Sequence, residues 1–360
     1  MKYTYFIFFF LLAGGIQSFG QSKNDFNIIA YYSQGPEQVD SLPAEKLTHI
    51  IFSFCHLTGN RLTVDNQRDT TTIRKLVGLK QRNPELKVIL SLGGWGGCKT
   101  CSDVFSTKKA IREFSRSVLE LSRYFKTDGL DLDWEYPAIE GYPGHTYKPA
   151  DKDNFTFLVQ DLRKTLGKSF ELSFAVGGFQ KALEETTDWQ AVMREVDRVN
   201  IMSYDLINGY ATVTGHHTAL YNTPQQKEST DNAVGYLAGI GVPRDKIVIG
   251  AAFYARVWED VPAAKNGLYQ SGKFKMGVDF RDFSTKLEGF SFYWDDTAKA
   301  PYAYHPERKL FATFDDKRSI RIKTEYAMDQ KLDGIMFWEL AHDTWKDGLV
   351  DTMYEVKTSH

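Results

Sequence analysis

The chain has 360 residues, 42% of them hydrophobic and 25% charged, enough apolar material to bury a large core as one domain or as one domain with an insertion. A formal net charge of -2 supplies no basic face in bulk, which argues against nucleic acid and anionic membrane surfaces as partners. The aromatic fraction of 14% suits core packing and also the rings with which proteins hold the apolar faces of sugars.

In chain order, the first segment reads as an export signal. Lys2 precedes an apolar run over 5–13, and Ser18-Phe19-Gly20 puts small residues at the two positions that a signal peptidase reads. Residues 1–20 are therefore expected to be removed near Gly20-Gln21, leaving a secreted or periplasmic protein without membrane insertion. The run is well short of the ~20 residues that a bilayer span needs.

Beyond it, short β-branched or aromatic runs alternate with longer helical patterns, as in βα units around a parallel sheet. Strands are expected at 27–32, 48–54, 87–94, 129–135, 170–178, 198–204, 246–254 and 334–339, with helices between them, among them 108–124 and 151–166. Eight units of this kind close a (β/α)8 TIM barrel, an α/β fold. A doubly wound open sheet competes, but no Gly-x-Gly-x-x-Gly follows the first strand. One connection is too long for a βα loop: before a helix expected at 316–332 lies a segment rich in Phe, Tyr, Lys and Gly. Residues 259–315 are read as an inserted subdomain, and 21–258 with 316–360 as the barrel.

Cys98 and Cys101 are too isolated for a zinc site and lack a thioredoxin context, so a local disulfide is expected, with Cys55 a buried thiol. The adjacent His216 and His217 would point apart on a strand and have no third ligand nearby, so they are assigned to loop structure and no metal is expected. Asp295, Asp296, Asp315 and Asp316 read as solvated turn acids.

The most informative stretch is the fourth strand, where 128–137 read Asp-Gly-Leu-Asp-Leu-Asp-Trp-Glu-Tyr-Pro. Alternate side chains of a strand face opposite ways, so Asp131, Asp133 and Glu135 share one face while Leu130, Leu132 and Trp134 share the other. Three aligned acids repel one another and lose solvation, which packing alone does not call for. Barrel strands present functional groups at their carboxyl ends. The other ends here carry Tyr31, Phe54, Ser91-Leu92-Gly93-Gly94-Trp95, Met202 with Tyr204 and Asp205, Tyr254 with Arg256, and Trp338 with Glu339. Carboxylates ringed by aromatics describe a sugar-cleaving cleft better than a phosphate or hydride site.

These motifs make the chain resemble the chitinases of glycoside hydrolase family 18. Residues 128–137 match the family's Asp-Gly-x-Asp-x-Asp-x-Glu signature, Ser91 to Trp95 its Ser-x-Gly-Gly pattern, and Met202-Ser203-Tyr204-Asp205 its Met-x-Tyr-Asp. Tyr254-Ala255-Arg256 precedes an insertion similar to the α+β domain that walls the cleft of some members. The resemblance implies a secreted, monomeric chitinase without a cofactor, cleaving β-1,4 bonds between N-acetylglucosamine units of chitin or chitooligosaccharides. It implies that Glu135 is the general acid, that Asp133 orients the substrate's own 2-acetamido group as it attacks the anomeric carbon, and that Asp131 shares a proton with Asp133. Tyr204 would hydrogen-bond the acetamido oxygen. Trp338 would floor the sugar ring, Asp205 and Arg256 would bind its polar groups, and Tyr31, Phe54, Trp95, Tyr136, Met202 and Tyr210 would line subsites.

Two bland readings stand beside these: Trp338 as barrel filling, and Arg256 as partner of a structural carboxylate. The sequence does not assign Glu339 a role. A lectin on the same barrel and an enzyme releasing glycans from glycoproteins are the alternative functions. Asp133 and Glu135 would lie ~6.5–7 Å apart on an ideal strand, inside the inverting range for paired carboxylates, so retention follows from the resemblance and not from spacing.

Overall fold

The computed structural model describes Met1 and residues 26–360, so the expected export signal, apart from Met1, lies outside the described residues. Eight parallel strands, Asn27–Tyr32, His49–Thr58, Lys87–Gly93, Gly129–Asp133, Glu171–Gly177, Arg198–Met202, Ile247–Ala252 and Gly334–Trp338, pair in chain order. The first pairs with both the second and the eighth, which closes the (β/α)8 TIM barrel that the alternation predicts.

Strands buried on both faces need side chains suited to two different environments. In the fourth, Leu130, Leu132 and Trp134 turn outward into the layer beneath the helices, where the Trp134 ring meets Phe105 at 5.6 Å and Phe155 at 6.3 Å. Helices Lys108–Phe125 and Asp151–Leu166 supply that layer at the expected places. Thr107 caps the first by accepting the Ala110 N–H at 3.2 Å. Asp131 and Asp133 occupy the opposite face. At the amino end of the barrel, Arg198 donates to Glu171 and Asp333 at 2.8 Å each, and His49 Nε2 lies 2.8 Å from Glu171. This buried ionic plug closes the base, and the open mouth is at the carboxyl ends.

A second, antiparallel sheet has the spatial order Lys273–Asp279, Tyr254–Glu259, Leu310–Thr313, Ala300–His305, Ser291–Asp295. It has its own core around Val257, Val278, Leu287, Phe290 and Phe314. The sheet begins at Tyr254, so position 259, expected as the start of the insertion, is the last residue of a strand already committed to it. The seventh barrel strand ends at Ala252, and the chain after Phe253 pairs instead with Lys273–Asp279. Continuous apolar residues across the two strands hide this change of partner in the sequence.

Two of the acids read as turn residues are structural instead. Asp316 caps helix Lys317–Asp329, accepting the Ser319 N–H at 2.8 Å. Asp315 is fully buried; Lys323 Nζ donates to both of its oxygens at 2.8 Å, and Thr218, Ser319 and the Ala252 N–H complete its shell. The farthest partner, Thr218, is 97 positions away in the chain, which is why local context misreads the residue. Asp295 is half-buried and lies 3.0 Å from His216 Nε2. Both His216 and His217 are completely buried, and the second packs against the Tyr254 ring at 5.2 Å.

Cys98 and Cys101 form a disulfide with Cα atoms 5.1 Å apart, and Cys55 is a buried free thiol. No helix among the described residues is long and apolar enough to cross a membrane.

Candidate active site

A cleft of about 770 Å³ opens at the carboxyl end of the barrel. Of the residues singled out from the sequence, Phe54, Trp95, Asp133, Glu135, Tyr136, Met202, Tyr204, Asp205, Tyr210, Arg256 and Trp338 all line it. Tyr31 does not. Its side chain is 2% exposed because the first strand turns it into the barrel interior, below the cleft floor.

There the Tyr31 hydroxyl donates to Asp131 Oδ2 at 3.1 Å, beside Ser91 Oγ at 3.0 Å. Asp131 Oδ1 accepts from Ser173 Oγ at 2.7 Å and from Asn200 Nδ2 at 3.1 Å. Four donors occupy both carboxylate oxygens, and none of them comes from Asp133. The structure therefore gives Asp131 the geometry of an acceptor held from four sides. Burial raises its affinity for a proton and the four hydrogen bonds oppose that rise.

Asp133 has no such shell. It is 4% exposed, and its Oδ1 is buried without a hydrogen-bond partner. Burial first, then the charges of Glu135 and Asp131, push its proton affinity well above the usual carboxylate range. Glu135 is half-buried, just past the strand end. Burial pushes its carboxyl up to about 7; a hydrogen bond from Tyr136 opposes this, and the charge of Asp205 adds to it. Both acids at the cleft floor thus hold a proton more tightly than a free carboxyl does, and Asp133 keeps one buried oxygen without a hydrogen-bond partner.

The walls come from both sheets. Asp205 follows the sixth strand in the left-handed region, at φ 56°. Arg256, on the second sheet, donates from Nε and Nη2 to both Asp205 oxygens, while His217 Nδ1 lies 3.5 Å from Oδ1. Burial alone would raise Asp205, but the Arg256 hydrogen bonds, with the nearby His217 ring, hold it well below the usual range. The bland reading of Arg256 as a carboxylate's partner therefore describes one of its contacts. Trp338 stacks on Phe54 with centroids 5.6 Å apart and planes 13° from parallel, while one side remains open to the cleft. Trp95 and Tyr210, 48% and 66% exposed, stand along the opening.

Glu339 is fully buried and accepts the Ser33 N–H at 3.1 Å and Gln34 Nε2 at 3.0 Å, tying the eighth strand to the loop after the first. Sequence reasoning overlooked Asn200, Ser173, Phe179 and Phe274. Asn200 was within reach, since positions 200, 202 and 204 share one strand face and a lone amide stands out between Val199 and Ile201. The second-sheet ring of Phe274 was not, because its place depends on how that sheet folds over the barrel.

The model of glycosyl hydrolases family 18 matches residues 27–343. Chitinase A1 of Niallia circulans is 35% identical over 298 residues, covering 75% of this chain and 42% of that protein. The oviduct-specific glycoprotein of Mus musculus is 31% identical over 319 residues, covering 82% of this chain and 43% of that protein. The chain thus spans less than half the length of these two relatives. The solved structure of a glycoside hydrolase family 18 N-acetylglucosaminidase from Paenibacillus barengoltzii has a TM-score of 0.83 at 36% identity, covering 92% of this chain and 99% of that one. A family model that runs through all eight barrel strands, joined to an acidic cleft at the mouth those strands build, leads to one conclusion: the chain belongs to glycosyl hydrolase family 18.

Proposed function

We propose that the protein is a chitinase that hydrolyses β-1,4-linked N-acetylglucosamine chains by substrate-assisted, retaining catalysis. The observation that carries this reading is the gradient along Asp131, Asp133 and Glu135: an acceptor saturated by four donors, a buried acid with an unpaired oxygen, and a cleft-facing acid whose carboxyl is raised to about 7. A carboxyl poised near neutral pH can protonate a leaving glycosidic oxygen and later take a proton back from water. Asp133 then meets the acetamido N–H of the sugar, aims its carbonyl oxygen at the anomeric carbon and stabilises the positive charge that develops on the resulting ring. Tyr204, raised well above the ordinary phenol range chiefly by burial, stays a hydrogen-bond donor for that acetamido oxygen. Trp338, stacked on Phe54, offers its open face as an apolar floor.

Because the substrate supplies the nucleophile, no enzyme carboxylate has to reach the anomeric carbon, and the two-carboxylate spacing rule does not apply. Asp205 and Arg256 act together at the wall, Arg256 keeping Asp205 ionised beside Glu135. The same reading takes residues 1–20 as an export signal of a secreted or periplasmic monomer. It takes the second sheet as a separate module, residues 259–315 together with the strand from Tyr254, that deepens the cleft. Chitin fragments are the proposed ligand, and no cofactor takes part.

Mass-spectrometric timing of products from chitohexaose tests the proposal. Early dimers and trimers indicate internal or dimer-releasing cleavage, and single sugars indicate the activity for which the Paenibacillus barengoltzii relative is named. An intact hexamer with measurable binding would favour the lectin alternative.

A further inference from the structure

The end of the eighth barrel strand and the second sheet meet along a seam that the proposed chemistry does not use. Past Trp338 the chain makes one short turn, Leu340–His342, which brings the His342 ring to the end of strand Lys273–Asp279. His342 Nε2 lies 3.4 Å from Glu339 Oε1 on the barrel side and 3.4 Å from Asp279 Oδ1 on the sheet side. Its Nδ1 is buried without a hydrogen-bond partner. These surroundings put a ring proton on Nε2, between the two carboxyl groups.

The two ends of this bridge differ in firmness. Glu339 is fully buried and already fixed by the Ser33 N–H and Gln34 Nε2. The Asp279 side chain is 29% exposed and closes an edge strand, whose one neighbour in the sheet is Tyr254–Glu259. A strand without a ladder on its free side depends more on side-chain ties for its position. Arg281 supplies one, donating from Nη2 to Asp279 Oδ2 at 3.0 Å and from Nη1 to the Ala341 carbonyl at 2.7 Å. His342 supplies the other. Two carboxyl acceptors have no attraction for each other, so the donor between them is what joins Asp279 to Glu339. The same strand faces the cleft through Phe274, Val278 and Asp279, while Trp338 and His342 face it from the barrel. A shift of Asp279 away from Glu339 therefore changes the width of the cleft beside Trp338.

We propose that His342 is a positioning residue that clasps the second-sheet wall to the end of the eighth strand, and that by holding Asp279 against Glu339 it sets how tightly the cleft grips a sugar chain. The inference rests on the reading of the cleft as a site for chitin fragments. It adds a residue that acts through the wall and not on the reacting atoms.

Hydrogen exchange of the free protein reads the clasp without any ligand. His342→Ala should speed exchange of the amides that join Lys273–Asp279 to Tyr254–Glu259 about three- to tenfold, and leave the barrel strands as in wild type. His342→Gln, whose amide nitrogen can stand near the place of Nε2, should restore most of the protection. Calorimetry with chitohexaose in the Glu135→Gln background reads the consequence for binding. His342→Ala and Asp279→Asn should each weaken affinity about three- to tenfold, and the double variant should lose no more than either one, because the two residues act as a unit. Unchanged exchange in His342→Ala would overturn the proposal. So would losses that multiply in the double variant, which would make His342 an independent contact of the sugar. Chitohexaose that binds to none of these proteins would count against the chitin reading, and hydrogen exchange would still decide the clasp.

Discussion

Arg256 and Asp205 join two sheets through one pair of hydrogen bonds: the guanidinium stands on the second strand of the smaller sheet, the carboxylate just past the sixth strand of the barrel, and Nε and Nη2 reach one oxygen each. The paired geometry holds the wall against the mouth and leaves a charged carboxylate near Glu135, where it contributes to the raised proton affinity of that acid.

Asp205→Asn should move the alkaline limb of the activity profile to lower pH. Removing the carboxylate takes away a charge that favours protonated Glu135, and the unpaired Arg256 then favours ionised Glu135, so both changes act in the same direction. A kcat/KM profile of wild-type and variant protein checks this, and a limb that stays in place or moves up counts against the coupling. For the wild-type protein the limb should lie near pH 7, the value to which burial pushes Glu135, read as an apparent property of the Asp133–Glu135 pair.

Glu135→Gln should lose ~10²- to 10⁴-fold in turnover while keeping oligosaccharide binding, because the amide fills the same space without an acidic proton. Its stability should also respond to pH. The carboxyl is raised from 4.5 to about 7 on folding, so its contribution to stability is fully present below 4.5 and lost as pH rises through 7. Glutamine has no such loss. Denaturation at pH 4.5 and pH 8 should show the difference between the two proteins shifting in favour of the variant by about 1–3 kcal/mol.

Lys323→Met should destabilise the protein by about 3–5 kcal/mol, since it leaves Asp315 charged and buried among its remaining donors. Adding Asp315→Leu should recover much of that loss. Urea denaturation of wild type, single variant and double variant measures both effects, and a single variant within about 1 kcal/mol of wild type would show the pair to be energetically idle.

Thiol titration of the denatured, unreduced protein should find one free thiol, that of Cys55, whose burial pushes its ionisation well above the ordinary thiol range and protects it in the native state. Finding three would mean that Cys98 and Cys101 are not joined in the protein as made.

If the acetamido group is the nucleophile, the sugar preceding the cleaved bond must be N-acetylated. A glucosamine there offers an ammonium with no lone pair to attack the anomeric carbon. Digestion of partly deacetylated chitosan should leave N-acetylglucosamine at nearly every new reducing end, first as the β-anomer because two inversions give net retention. End sequencing and early proton NMR measure both; frequent glucosamine reducing ends, or α-anomer at first, would defeat the mechanism.

The sequence alone was enough for the repeating plan of the barrel, because each strand is a short apolar run bounded by turn residues and each helix carries its own 3.6-residue stripe. It also placed Asp131, Asp133 and Glu135 on one face, since alternation along a strand is a local property. What depends on groups distant in the chain was decided only by tertiary structure. The four donors that saturate Asp131 come from four different strands, so only the closed barrel could show how this acid is held. Tyr31 lies under the cleft and not in it because depth along a strand is invisible until the floor is built. The change of sheet at Tyr254 and the burial of Asp315 against Lys323 likewise rest on partners chosen by the fold, for strand pairing and ion pairing are contacts in space and carry no fixed sequence spacing.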